Sequence, residues 1–340
     1  MLRFLFIKRF HRTNPTTIEW NKTIRNHQMN GNHQQALKMF QLGIEKNAFQ
    51  PNSVTYLTII DVCKQMNSLP TLKMIHQLIE SSNKSPVDAQ EIGDNPRIRS
   101  LLMDAYIKCD DLNGAFQVFQ SMKQRNNVDY AALMTGFNKR KEYERTWQIA
   151  KNIPLSMIKS SPIVATLILQ ACAHLDKYEN GHKLHQHIVH WIPKDRILMN
   201  ELLNFYLKFN NEKEALNIFQ LHLDHQTVVE YSLLMKYFIR RYKPEKAIEL
   251  YLNLLKKSDH IIHVLMSQAI ANGCCLYSAE KFHEQIKKSS NHIDTQNALI
   301  NMYGNRISQL IYFIEQRKID LSHSAIFVDV KNQKNSDRFR

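Results

Sequence analysis

Residues Leu101–Gln120 read LLMDAYIKCDDLNGAFQVFQ, and residues Glu201–Gln220 read ELLNFYLKFNNEKEALNIFQ. A third, partial copy, NALINMYGN, begins at Asn297. The tyrosines of the three stretches, Tyr106, Tyr206 and Tyr303, lie 100 and 97 residues apart. Self-similarity at a fixed separation is the mark of a repeat architecture. Within Leu101–Gln120, Leu101, Leu102, Ala105 and Tyr106 form one apolar helical stripe. Ala115, Phe116 and Phe119 form a second. Two short amphipathic helices with a break between them are therefore the unit of the fold.

Two further sets of matches follow the same spacing. LKMIHQLI, HKLHQHIV and EKFHEQIK carry His76, His185 and His283. EWNKTI, DYAALM and EYSLLM carry Trp20, Tyr130 and Tyr231. A segment of roughly 100 residues thus recurs three times and divides into three sub-repeats. Nine units result, beginning near Thr17, Ser53, Pro96, Asn127, Pro162, Arg196, Val228, His260 and Ile293. The long second unit carries an insertion, KSPVDAQEIG (84–93), whose Pro, Ser and Gly mark a surface loop.

The first unit shows the plan. Helix A covers about 18–29, with Ile18, Trp20 and Ile24 as its apolar contacts. Asn30-Gly31-Asn32 breaks it, because Gly and Asn tolerate a left-handed backbone. Helix B runs through HQQALKMFQLGIEK, where Ala36, Leu37, Phe40 and Ile44 share one face. Small residues, Ala36, Ala115, Ala215, Ala247 and Ala279, recur where the helices should approach closely. Helices this short are marginal alone in water, so stacking must supply most of the stability. The expected fold is all-α, a right-handed α-solenoid of about nine helix-turn-helix repeats forming one continuous spiral.

Composition agrees and narrows the partners. Hydrophobic residues make up 44% of the 340-residue chain, enough for a packed interior. Only 8 glycines and 9 prolines are present, fewer than sheet-rich folds usually need for their turns. Lys and Arg number 45 against 31 Asp and Glu, a formal charge of +14, which favours polyanionic partners. The first 16 residues, MLRFLFIKRFHRTNPT, hold Arg3, Lys8, Arg9 and Arg12, no acid, and interleaved apolar residues. That pattern predicts a mitochondrial transit peptide. No long apolar run follows, so no membrane span is expected. Five cysteines without a C-x-x-C pair, Cys63, Cys109, Cys172, Cys274 and Cys275, read as reduced, mostly packed thiols.

These units resemble pentatricopeptide repeats. Their order resembles the P, L and S alternation of plant-type organellar RNA-editing factors. Thr17, Asn127 and Val228 would open P-like units. Ser53, Pro162 and His260 would open L-like units, where ILQACAHL and the recurrent histidine are diagnostic. Pro96, Arg196 and Ile293 would open S-like units, in which LLMDAYIKCDDLNGAFQVF is a close match. The resemblance covers about residues 17–305. It implies single-stranded RNA as partner, about one nucleotide per repeat, read by a few side chains. It places the readers at the fifth residue of helix A and the last residue of the unit. The pairs would be Asn21 with Asn52, Leu57 with Asn95, Ser100 with Asn126, Ala131 with Ser161, Thr166 with Asp195, Asn200 with Thr227, Ser232 with Asp259 and Val264 with His292. Asn297 has no clear partner. By the same resemblance Ser100/Asn126 would favour adenine, Ser232/Asp259 guanine and Asn21/Asn52 a pyrimidine. Leu57, Ala131 and Val264 depart from the pattern by offering no polar group.

Other motifs are read as structural. His182, His185, His187 and His190 do not share one helix face, and His185 occupies the packing position of His76 and His283. Lys and Arg cluster at 123–125, 139–141, 240–243, 256–257 and 287–288, where they could funnel a phosphate backbone. Some relatives end in a zinc cytidine-deaminase domain, which needs H-x-E and C-x-x-C segments that are absent here. No P-loop, nucleophile elbow or dinucleotide turn is present, so neither an enzyme nor a cofactor is expected. RISQLIYFIEQRKI would cap the last unit, followed by a polar tail through Arg340. The function implied is a monomeric mitochondrial RNA-binding adaptor that recognises C-to-U editing sites, with a separate deaminase or other processing enzyme as second partner. The alternative is a protein-binding helical-repeat scaffold of the tetratricopeptide kind.

Overall fold

The computed structural model describes residues 16–82, 92–192, 194–221, 227–254, 260–273, 282, 294–295 and 297–304. Every regular element among them is helical. In chain order these are α1 (Thr17–Met29), α2 (His33–Glu45), α3 (Ser53–Met66), α4 (Leu69–Ser82), α5 (Pro96–Lys108), α6 (Leu112–Ser121), α7 (Asn127–Lys139), α8 (Tyr143–Ala150), α9 (Leu155–Ser160), α10 (Pro162–His174) and α11 (Tyr178–Ile188). A short 3-10 turn, Val189–Trp191, follows. Then come α12 (Arg196–Lys208), α13 (Glu212–Gln220), α14 (Val228–Arg240), α15 (Pro244–Leu254) and α16 (His260–Gly273). Residues 1–15, where the transit peptide is expected, most of the 84–93 insertion, Cys274, Cys275, Ala279, His283, Asp259, His292, Ile293, the 256–257 and 287–288 lysines and the segment after Gly304 lie outside the described residues.

The chain divides into two compact units, Met1–Trp191 and Ile192–Arg340. Each is a stack of helical hairpins. In the first unit the A helices α1, α3, α5, α7 and α10 pack side by side in sequence order. Their B partners are α2, α4, α6, α8 and α11. In the second unit α12, α14 and α16 stack likewise, with α13 and α15 as B helices. From α3 onward, the third, fourth, seventh, eighth and eleventh residues of the A helices face inward, and in α1 only the fourth and eighth, Trp20 and Ile24, are buried. In α5 these are Ile98, Arg99, Leu102, Met103 and Tyr106, all buried. In α12 they are Leu198, Met199, Leu202, Leu203 and Tyr206. That is the i, i+1, i+4, i+5, i+8 stripe of a helix covered on one side.

Each A–B turn is closed by the same device. The fifteenth residue of the hairpin is left-handed: Gly31, Asn67, Asp110, Lys141, Asp176, Asn210 and Tyr242, with φ between 51° and 71°. The sixteenth residue's N–H then reaches back to the eleventh residue's carbonyl. Examples are Asp111 N to Tyr106 O at 3.0 Å, Glu142 N to Phe137 O at 2.9 Å and Lys243 N to Phe238 O at 2.9 Å. This is the six-to-one bond of a Schellman motif, which satisfies a helix-end carbonyl. The residue that makes the bond also starts helix B. Asp111 accepts from Gly114 N at 2.9 Å, and that bond holds the Asp111 carboxyl below its usual range. The fourth residue of helix B is small and fully buried in four of the hairpins, as Ala36, Ala115, Ala215 and Ala247.

Successive hairpins share recurring joints. Phe119 on α6 meets Tyr130 on α7 edge-on, with ring centroids 5.2 Å apart. Phe219 on α13 meets Tyr231 on α14 the same way at 5.0 Å. His76 on α4 and Tyr106 on α5 meet edge-on, and His76 Nδ1 lies 3.0 Å from the Tyr106 hydroxyl oxygen. The recurrent histidine and tyrosine of the sequence are therefore partners at this joint. Burial lowers the His76 pKa and pushes Tyr106 up to about 12. Cys63 and Cys172 are buried thiols whose pKa burial pushes up to about 12, which makes them poor nucleophiles. Ile18 corrects the sequence reading: it was assigned to the core, yet it is 76% exposed.

Lys141 and Tyr242 are unusual at a left-handed position, where a Cβ crowds the following carbonyl. Lys141→Gly should raise stability by about 0.5–1 kcal/mol, the left-handed strain relieved exceeding the added chain entropy. A shift of the urea midpoint to higher concentration checks this, and an unchanged or lower midpoint contradicts it.

Candidate functional site

The fifth residues of the A helices are Asn21, Leu57, Ser100, Ala131, Thr166, Asn200, Ser232 and Val264. The second, ninth and thirteenth residues fall on the same side of each helix, since 3.6 residues make a turn. One face of every A helix thus carries four side chains over about 16 Å. The second residue is aliphatic and exposed in seven of the eight: Ile18, Val54, Val128, Ile163, Ile197, Val229 and Ile261, at 42–76%. Arg97 takes the place in α5 and is also exposed. The ninth residue is polar throughout: Arg25, Asp61, Asp104, Thr135, Gln170, Asn204, Lys236 and Gln268. The thirteenth is basic and exposed in five consecutive A helices, as Lys108, Lys139, His174, Lys208 and Arg240. A cation there also faces the negative end of its own helix dipole.

The last residue of each unit is the N-cap of the next A helix. Asn52 Oδ1 accepts from Thr55 N at 3.1 Å, and Asn126 Oδ1 from Val128 N at 2.8 Å and Asp129 N at 3.1 Å. Asn95 Oδ1 accepts from Arg97 N at 3.0 Å, and Asp195 Oδ1 from Leu198 N at 2.8 Å. Ser161 and Thr227 hydroxyl oxygens accept from Val164 N and Val229 N at 3.4 Å each. The polar character of these positions therefore has a structural cause besides any reading role. It also explains why EWNKTI, DYAALM and EYSLLM share an acid. Glu19, Asp129 and Glu230 are the third residues of capping boxes, each accepting from the backbone N–H of its N-cap residue.

Within the expected pairs the arrangement varies. Ser100 and Asn126 line one recess of about 510 Å³ with Arg97, Val128 and Asp104. Asn21 and Asn52 are hydrogen-bonded to each other at 3.0 Å. Ser161, Thr166 and Ser232 are only 9%, 6% and 8% exposed, less open than a reading role suggests. The hydroxyls of Thr166 and Ser232 donate to their own helices, at Pro162 O and Val229 O. Asn200 is half-buried, and its Oδ1 accepts no hydrogen bond. Asn297 is exposed and lines a recess of about 710 Å³ in the second unit with Val264, Ile261, Lys236 and Arg240. Asp259 and His292 lie outside the described residues.

The clustered cations separate into two groups. Arg140 pairs with Asp110 of the preceding turn, Lys243 with Glu212 at 2.6 Å, and Lys123 with Asp94 at 2.5 Å. Arg125 lies 4.7 Å from the centroid of the Phe119 ring and donates to Phe119 O and Gln120 O. The three ion pairs join neighbouring repeats, and the Arg125 contacts close the end of its own unit. Lys139 and Arg240 instead close A helices, as do the isolated Lys108 and Lys208. The second-position aliphatics escaped the sequence reading because a β-branched residue near an apolar stripe looks like core. Their recurrence three residues before the fifth-residue positions was the available signal. Among the described residues no group of three or more His, Cys, Asp or Glu is placed to hold a metal ion, and no helix is long and apolar enough to cross a membrane.

Two-helix units whose A helices present one face, with an aliphatic tip in seven of eight, a polar ninth residue in all and a basic end in five, define a helical-repeat protein. Residues 99–127 match the family of the PPR repeat. Beyond that segment, the chain is similar to pentatricopeptide repeat-containing proteins. A chloroplastic one from Arabidopsis thaliana is 23% identical over 294 residues, 84% of this chain and 35% of that protein. Another from the same plant is 24% identical over 291 residues, 84% of this chain and 41% of that one. A mitochondrial one is 24% identical over 235 residues, 69% of this chain and 35% of that protein. The chain thus spans well under half the length of these relatives. The crystal structure of the pentatricopeptide repeat protein PPR10 in complex with an 18-nt psaJ RNA element covers 88% of this chain and 50% of its own, at TM-score 0.49 and 14% identity.

The capping role separates structure from reading. Asn126→Ala should cost about 1 kcal/mol through the lost N-cap, whereas Asn126→Asp should leave stability within a few tenths, since Asp caps as well as Asn. Thermal melts of the two variants check this. Equal loss in both would mean that the cap bond is not what Asn126 contributes.

Proposed function

We propose that the chain binds single-stranded RNA in an organelle, one nucleotide for each hairpin, and acts by binding rather than by catalysis. The observation that carries this reading is the face shared by four consecutive A helices, α7, α10, α12 and α14: aliphatic second residue, short fifth residue, basic thirteenth residue. An exposed aliphatic side chain offers apolar surface to the flat of a base. A short polar or apolar fifth residue leaves room at the base edge. A cation about 12 Å further along the helix meets the phosphate backbone. Repetition at each hairpin matches the repetition of a nucleic acid strand, which an isolated protein ligand does not have. The excess of Lys and Arg is consistent with the same partner. Structures of the relative PPR10 hold an RNA element.

A finer reading rests on the sequence. The P, L and S unit order supports recognition of C-to-U editing sites, with the deamination supplied by a separate enzyme. The Arg-rich, acid-free start supports mitochondrial delivery. About eight or nine nucleotides would be covered.

Filter binding of the purified chain to random 20-nucleotide single-stranded and double-stranded RNA, across a KCl series, tests the core claim. Tighter, salt-dependent binding of the single strand is expected. Lys108→Ala combined with Lys139→Ala should lower the slope of log K against log salt by about 1.4, since each single-strand phosphate contact contributes about 0.7. No binding, or equal binding of the duplex, would reject the proposal. Crosslinking in organelles should recover RNA next to cytidines that are converted to uridine; recovery of proteins without RNA would favour a scaffold.

A further inference from the structure

We propose that Arg97 makes the third hairpin a sequence-tolerant anchor for the strand, by laying its guanidinium plane on whichever base enters the recess beside it. The proposal rests on the RNA-binding reading above and adds one residue that departs from the repeated face.

Arg97 stands where the other seven A helices carry Ile or Val. Folding gives no reason for it. It is the second residue of α5, in the first turn, where unpaired N–H groups make the helix end positive and a cation is disfavoured. No acid occupies that turn to offset it. Only the backbone of Arg97 is held, its N–H donating to Asn95 Oδ1 at 3.0 Å. The side chain is exposed, and among the described residues its guanidinium has neither an ion-pair nor a hydrogen-bond partner. The nearby carboxylates are engaged elsewhere. Asp104 pairs with Lys64, Asp94 with Lys123, and Asp129 accepts from Asn126 N at 2.9 Å.

The recess gives this unengaged plane something to face. Arg97, Ser100, Asp104, Asn126 and Val128 line its volume of about 510 Å³. Val128 is the second residue of α7, so one helix contributes an apolar side chain and its neighbour a planar cation. A guanidinium stacks on a base by its flat face, and every base has such a face. The contact therefore adds grip without reading the base edge. The recess of the second unit lacks this arrangement. Its second residue is Ile261, and its cations, Lys236 and Arg240, are ninth and thirteenth residues.

The test starts from a 12-nucleotide RNA enriched by selection with the full chain. Filter binding compares wild type, Arg97→Lys and Arg97→Val on that RNA and on versions with one abasic site moved along it. Arg97→Lys keeps the charge and loses the plane. It should bind the intact RNA about fivefold more weakly, and the difference should vanish when one particular position is abasic. Placing each of the four bases at that position should keep the difference. Arg97→Val should bind at least as weakly and melt no lower than wild type, because the cation leaves the positive helix end. Wild-type affinity in Arg97→Lys would reduce Arg97 to a charge near phosphate and overturn the proposal. So would a loss that persists at every abasic position or appears with one base only, and so would a lower melting temperature in Arg97→Val. Each of these leaves RNA binding standing. No enriched RNA at all overturns both.

Discussion

The first backbone N–H groups of a helix have no carbonyl of their own to reach, and that shortage governs how one hairpin meets the next. Here it is met by the side chain that ends the preceding unit. Asn52, Asn95, Asn126, Ser161, Asp195 and Thr227 each accept from the helix that follows. The cap sets where each A helix begins, and the beginning sets which residues are second, fifth, ninth and thirteenth. A helix that started one residue later would turn its outward face by about 100° and bury the aliphatic tip. The chemistry of the face is thus downstream of a few hydrogen bonds that never touch a ligand.

The same economy explains why short helices are enough. Each A helix of the described hairpins is 13 or 14 residues long, which is marginal in isolation. Stability comes from the buried stripe, from the Schellman bond that turns helix A into helix B, and from aromatic joints such as Phe119 with Tyr130. Polar rungs add direction between neighbouring A helices. Gln28 donates to Asp61 at 2.6 Å, Lys64 pairs with Asp104, and Asn138 donates to Gln170 at 3.1 Å. In each case the twelfth residue of one helix meets the ninth of the next. Such contacts fix the offset between faces more than they stabilise the stack.

The helical hairpin was legible from Leu101–Gln120 because its apolar residues repeat with the period of a helix and its units repeat along the chain. The pairing of Ser100 with Asn126 was suggested only by the family resemblance, and the structure sets the two along one recess. What stayed hidden depends on context that no single unit displays. Lys141 and Tyr242 give no sign of a left-handed backbone, because the six-to-one bond, not the side chain, imposes it. Ile18 reads as core by its type, yet the stripe that is covered begins two residues later, at Trp20. The pairing of His76 with Tyr106 joins two patterns that were visible separately but never as partners. The division at Trp191 and Ile192 had no compositional mark at all.

Two joints in this chain are built from the same pair of rings: Phe119 edge-on to Tyr130, and Phe219 edge-on to Tyr231. Identical joints at equivalent places make the block between them interchangeable. A gene that lost residues 120–219 through unequal crossing-over would set Phe119 directly before Gln220, and Tyr231 would find the partner that Tyr130 has now. Gain or loss of a whole triplet therefore demands no new packing solution. The length of the array, and with it the length of any strand it covers, can drift by recombination while each surviving contact keeps its form.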